Sequence, residues 1–82
     1  MEKTIYSVEY ADLLILLRKK RLDAGFTQNQ LARVLCVPRS FIGKCERGER
    51  RIDVIELMAF CRALGIELQA FIAELEQRRE RG

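Results

Sequence analysis

The stretch TQNQLARVLCVPRSFIGKCERG, Thr27 to Gly48, constrains this chain more than any other part of it. It holds two amphipathic pieces of about nine residues each, apolar at helical spacing, with an abrupt break at Cys36-Val37-Pro38. Thr27 with Gln30 three positions on is a capping box, in which each side chain satisfies the other residue's backbone N–H. Leu31, Ala32 and Leu35 form the apolar face that follows. Pro38 suits the first turn of the second piece, because its missing N–H costs nothing there. Phe41, Ile42 and Cys45 then face inward, and Gly48 stands where a glycine closes a helix. The break sets an angle between the two pieces. Val37, apolar inside a turn, is explained if it plugs the gap between them.

The remainder also reads as helix, around a core that 82 residues with 49% apolar content can build once. A chain this small is marginally stable alone, and pairing with a second copy would help. Residues 1–9 are read as an N-terminal segment, extended or flexible, because KTIYSVEY alternates but has no partner strand. Ser7 is the expected N-cap of the first helix, with Glu9 in its first turn. Tyr10, Leu13, Leu14, Leu17 and Ala24 share its inner face with Arg21, and it stops near Gly25. Asp53 and Glu56 form a second capping box. The helix they open ends at Gly65, with Val54, Leu57, Met58, Cys61 and Leu64 as its expected buried stripe. A fifth helix covers about Glu67 to Gln77, with Leu68, Phe71, Ile72 and Leu75 at helical spacing. The tail, 78–82, is expected to fray. The fold class is therefore all-α: five short helices, with residues 10–77 as one domain.

Several function classes find no support. The chain has no histidine, which removes the usual general base and the usual partner of a nucleophilic Ser or Cys. It has no Gly-rich phosphate loop and no carboxylate pair on an apolar wall. Its three cysteines, Cys36, Cys45 and Cys61, make no C-x-x-C pair, so they read as semi-buried reduced thiols rather than a zinc site. No enzyme activity, metal or cofactor is expected. The longest apolar run, LLILL, is too short to span a membrane, and the N-terminus lacks the apolar core of a signal peptide. A cytoplasmic location follows as the expectation.

The net charge of +3 hints weakly at an anionic partner, and its distribution says more. RKKR, Arg18 to Arg21, and RGERR, Arg47 to Arg51, carry much of the positive charge. The second run directly follows the two short helices. Two such helices joined by a three- or four-residue turn form a helix-turn-helix, whose second helix can enter a major groove while the first braces on the backbone.

From Leu17 to about Phe71 the chain resembles the phage-repressor (lambda repressor and Cro-like, xenobiotic-response-element type) helix-turn-helix regulators. TQNQLA, CERGE and RALGI carry the likeness most specifically. S-x-E-Y at Ser7 to Tyr10 and GERRxDVIE at Gly48 to Glu56 resemble small stand-alone members. The resemblance implies a five-helix repressor-like domain that binds double-stranded DNA, at a palindromic operator, as a homodimer that regulates transcription. It implies base contacts from Arg39, Ser40 and Lys44, with Pro38 against a thymine methyl. Gln28, with Thr27 beside it, is implied to hold a phosphate at the start of the second helix, and Arg47, Arg50 and Arg51 to lie along the backbone. Arg21 and Glu46 are implied to form a partly buried structural ion pair. Phe71 and Leu75 are the favoured dimer contact. The alternative is the outer stripe of the first helix, Ala11, Ile15 and Leu22, which is apolar where relatives are polar. A second function class is an antitoxin, the same fold binding a toxin protein and repressing its own operon.

Two residues depart from the family pattern. Cys36 stands where the family has glycine, implying about 1 kcal/mol of strain or a turn with other dihedrals. Gly43 lies inside the second short helix, where glycine costs about 0.5–1 kcal/mol relative to alanine. Its presence calls for a backbone that approaches DNA or a neighbour closely, or for a helix that is loose until bound.

Overall fold

The computed structural model describes the backbone of residues 2–81 and the side chains of residues 8–78. Five helices follow one another: α1 (Glu2–Asp23), α2 (Gln28–Leu35), α3 (Arg39–Glu46), α4 (Val54–Leu64) and α5 (Leu68–Arg81). Among the described residues there is no strand.

α1 begins well before Ser7, so neither the extended segment nor the Ser7 cap is present. The physical reason is continuity. No glycine or proline interrupts the chain before Gly25, and an alternating segment with no strand to pair with gains nothing by staying extended. The far end behaves similarly: α5 runs on to Arg81 instead of stopping near Gln77.

Both capping boxes are closed. Thr27 Oγ1 accepts from Gln30 N at 3.0 Å while Thr27 N donates to Gln30 Oε1 at 2.9 Å. Asp53 and Glu56 repeat the exchange at 2.7 and 3.0 Å. The other ends follow one rule. After α1, Gly25 N donates to Leu22 O and Phe26 N to Arg21 O, at 3.0 and 3.1 Å, the paired bonds of a Schellman motif. The same pair recurs at Gly48 and Glu49, at Gly65 and Ile66, and at Cys36 and Val37. In three of the four, an apolar residue, Phe26, Val37 or Ile66, follows the left-handed position and packs against the core. Val37 is thus the hydrophobic clasp of a helix end as well as a filler between helices.

The core contains Leu16 and Leu17 from α1, Leu31 and Ala32 from α2, Ile42 and Cys45 from α3, and Leu57, Phe60, Cys61 and Leu64 from α4. Phe71 of α5 completes it. Four expectations need correction. Leu16 is fully buried, whereas Ala24 lies outside. Phe60 is core, and Val54 is 60% exposed, because the inward positions of α4 run 57, 60, 61, 64. Cys36 is exposed rather than semi-buried. Phe71 is 1% exposed, so it belongs to the protomer's own core and is not available to a second copy. Burial pushes the Cys45 and Cys61 thiols above their usual range, which keeps them protonated and inert.

Candidate nucleic-acid interface

α2 and α3 are joined through a turn in which Cys36 adopts φ 60°, ψ 43°. It is the one described non-glycine residue with positive φ. The left-handed region pushes a Cβ toward the following carbonyl at a cost of about 1–2 kcal/mol. The turn nevertheless keeps its glycine geometry, because its two capping bonds and the seating of Val37 over-determine it. Cys36→Gly removes that strain but loosens the unfolded chain. We expect a net gain of about 0.5–1 kcal/mol in urea denaturation; an unchanged or lower midpoint would show the turn to be unstrained.

The turn leaves α3 with one side in the core, through Ile42 and Cys45, and the other in solvent. Arg39, Ser40 and Lys44 are all exposed, as is Pro38 at the N-cap. Ser40, Gly43, Lys44 and Arg47 follow the i, i+3, i+4, i+7 spacing of a single helix face. Neither Arg39 nor Lys44 is in an ion pair among the described residues. α3 thus presents two cations that no carboxylate holds.

Behind this face lies a buried polar junction. Arg21 Nε donates to Glu46 Oε2 at 2.6 Å and Nη2 to Glu46 Oε1 at 3.1 Å, with both side chains 7% exposed. Arg21 Nη1 reaches Phe26 O at 2.8 Å and so fastens the end of α1. Gln28 Nε2 donates to the same Glu46 Oε1 at 3.0 Å. One carboxylate therefore ties α1, α2 and α3 together. Gln28 is partly held by it, and Thr27 offers its oxygen to the cap.

The arginines after α3 are less free than a charge run suggests. Arg47 pairs with Glu49 through Nε at 2.9 Å and Nη2 at 3.2 Å, and its guanidinium lowers the Glu49 pKa. Arg50 holds Glu56 with both terminal nitrogens, at 2.9 and 2.8 Å, while its guanidinium lies 4.5 Å from the centre of the Phe41 ring. Phe41 in turn stacks near Phe60, with centroids 6.5 Å apart. Arg50 is a brace between the loop, α3 and α4, not a loose cation. Arg51 lies 4.5 Å from the centre of the Tyr10 ring, and the Tyr10 hydroxyl accepts from Ile52 N at 2.9 Å. Sequence reasoning missed these partners. The signal available was Glu56, whose role in a capping box left an oxygen for Arg50.

The remaining anticipated residues lie apart from this face. Leu75 is half-buried on α5. Ile15 and Leu22 are 53% and 55% exposed on α1, where with Ala11, Leu14 and Arg18 they line a groove of about 460 Å³. Among the described residues no group of His, Cys, Asp and Glu is arranged to hold a metal ion, and no helix is long and apolar enough to cross a membrane.

The sequence matches a helix-turn-helix family model over residues 17–71. Among solved structures it is similar to an XRE-family-like protein from Pseudomonas syringae pv. tomato, at 47% identity and TM-score 0.88, with 94% of each chain covered. It is also similar to the clp gene regulator ClgR from C. glutamicum, at 28% identity and TM-score 0.74, covering 84% of this chain and 88% of that one. The wild-type restriction-modification controller protein C.Esp1396I shares the fold, at 23% identity and TM-score 0.82, with 90% of this chain and 96% of that one covered. No curated protein sequence matches the chain.

Proposed function

The chain belongs to the helix-turn-helix family of XRE-type DNA-binding transcriptional regulators, and from that premise we propose that it binds a palindromic operator as a homodimer. The observation that carries this reading is the solvent face of α3, where Arg39, Ser40 and Lys44 stand exposed without a carboxylate partner. Arg39 and Lys44 donate to guanine O6 and N7, Ser40 donates or accepts, and Pro38 meets a thymine methyl. Gln28, Thr27 and Arg47 flank this face and hold phosphates, which set register without reading sequence. Arg51 follows the backbone from its seat on Tyr10.

One such module makes few base contacts, and two on a common axis make enough for specific binding. We assign the contact between copies to the start of α4, where Val54 and Ile55 are 60% and 68% exposed, the most exposed large apolar side chains on the described surface. Half-site centres then fall about 34 Å apart on one side of the duplex.

The test is fluorescence anisotropy on an inverted-repeat duplex selected from a random pool. Affinity falls steeply as salt rises, because the phosphate contacts displace counterions. Arg39→Ala relaxes preference at one base position and costs about 1–3 kcal/mol there. Tight binding that ignores salt, or a uniform loss with Arg39→Ala, would overturn the respective assignment.

A further inference from the structure

Gly43 is the odd residue of α3. It stands mid-helix, between Ser40, Lys44 and Arg47 on the face that the proposed reading turns toward DNA, yet it is buried. What covers it is side chain. A Cβ built on Gly43 would lie 3.0 Å from Arg47 Nη1, 3.8 Å from Arg47 Cζ and 3.7 Å from Gln28 Oε1. The Arg47 guanidinium therefore folds back over the bare Cα of Gly43, on the side where Gln28 stands.

The arrangement is directional. Glu49 takes Arg47 Nε and Nη2, so the nitrogen that lies over Gly43 is the one left over. Glu46 fixes Gln28 from the opposite side through Nε2. Glu49 thus orients the guanidinium toward that spot, Gln28 turns its amide oxygen to it, and a Cβ there would push Nη1 outward by a few tenths of an ångström. The fold gains nothing from glycine here. An alanine would favour the helix, and the atom it would displace is the end of an exposed, flexible side chain, Arg47 being 59% exposed.

We propose that Gly43 is a positioning residue for DNA binding: it seats the Arg47 guanidinium against α3, beside the Gln28 amide oxygen, so that Arg47 holds one phosphate from a fixed place. The proposal rests on the reading of Arg47 as a phosphate contact and names what aligns it. It also makes glycine a choice for affinity over helix stability.

The experiment is a double-mutant cycle of Gly43→Ala and Arg47→Ala, read by anisotropy across a salt series, with urea denaturation of each variant. Gly43→Ala is expected to fold as well as the parent or better. Its affinity is expected to fall about three- to tenfold on all duplexes alike, with the log–log salt slope shallower by up to about one counterion. In the Arg47→Ala background it should change nothing further. Equal losses in both backgrounds would overturn the proposal, because the methyl would then be striking DNA directly. A loss for Arg47→Ala with none for Gly43→Ala would overturn it while leaving the phosphate reading intact. Absence of any effect from Arg47→Ala would sink the reading of Arg47 as a phosphate contact and the proposal together, and salt-dependent operator binding by the parent would still stand apart from both.

Discussion

Glu46→Ala lowers the stability of the fold by about 3–5 kcal/mol, a large part of what an ordinary domain has. The substitution leaves Arg21, 6% exposed, as a buried charge with the Phe26 carbonyl as its remaining hydrogen-bond partner among the described residues. It also strips Gln28 of its acceptor, so α1, α2 and α3 lose their shared fastening at once. Urea denaturation followed by circular dichroism measures the loss. Replacing both partners, as Arg21→Met with Glu46→Leu, should cost far less, since no buried charge is then stranded. A midpoint that Glu46→Ala does not move would mean that water reaches the guanidinium.

Ile55→Glu is expected to give folded monomers whose thermal midpoint falls only by what pairing contributes, because Ile55 is 68% exposed and takes no part in the core. Its affinity for the paired half-sites should fall by about 10²-fold or more, the loss of two modules acting as one ligand. A single half-site should still be bound, weakly, with the parent's affinity. Sedimentation at micromolar concentration, alongside anisotropy on the two duplexes, reads both effects. Ile15→Glu serves as the comparison: monomers from that variant instead would move the interface to the outer stripe of α1.

The parts of this molecule that local chemistry controls were legible in its sequence. Thr27 with Gln30 and Asp53 with Glu56 mark helix starts because a cap is a four-residue event. The Cys36-Val37-Pro38 break marks the turn for the same reason. Arg21 and Glu46 stood out because each is a charge on an otherwise apolar face. What escaped the reading depends on residues far apart in the chain. Arg50 and Arg51 look like a solvent-facing run until Glu56, Phe41 and Tyr10 are brought to them. Leu16 and Leu17 are adjacent on α1, and only the packing of α3 and α5 against it decides that both are covered. Val54 carries an apolar signal equal to that of Leu57, and only the packing in three dimensions leaves it 60% exposed. Gly43 was conspicuous as a departure, but its neighbours Arg47 and Gln28 became visible only in three dimensions.

The clamp at Tyr10 has a kinetic consequence. Its hydroxyl holds the Ile52 amide and its ring carries Arg51, so the segment leaving α3 is fastened to α1 at a site 42 positions away in sequence. A loop held in this way enters an encounter already ordered and surrenders little conformational entropy on docking. Association then approaches rigid-body capture, with a rate set by diffusion and electrostatic steering rather than by a folding step. Tyr10→Phe, which keeps the ring and drops the tether, would slow the approach to the duplex more than it hastens departure.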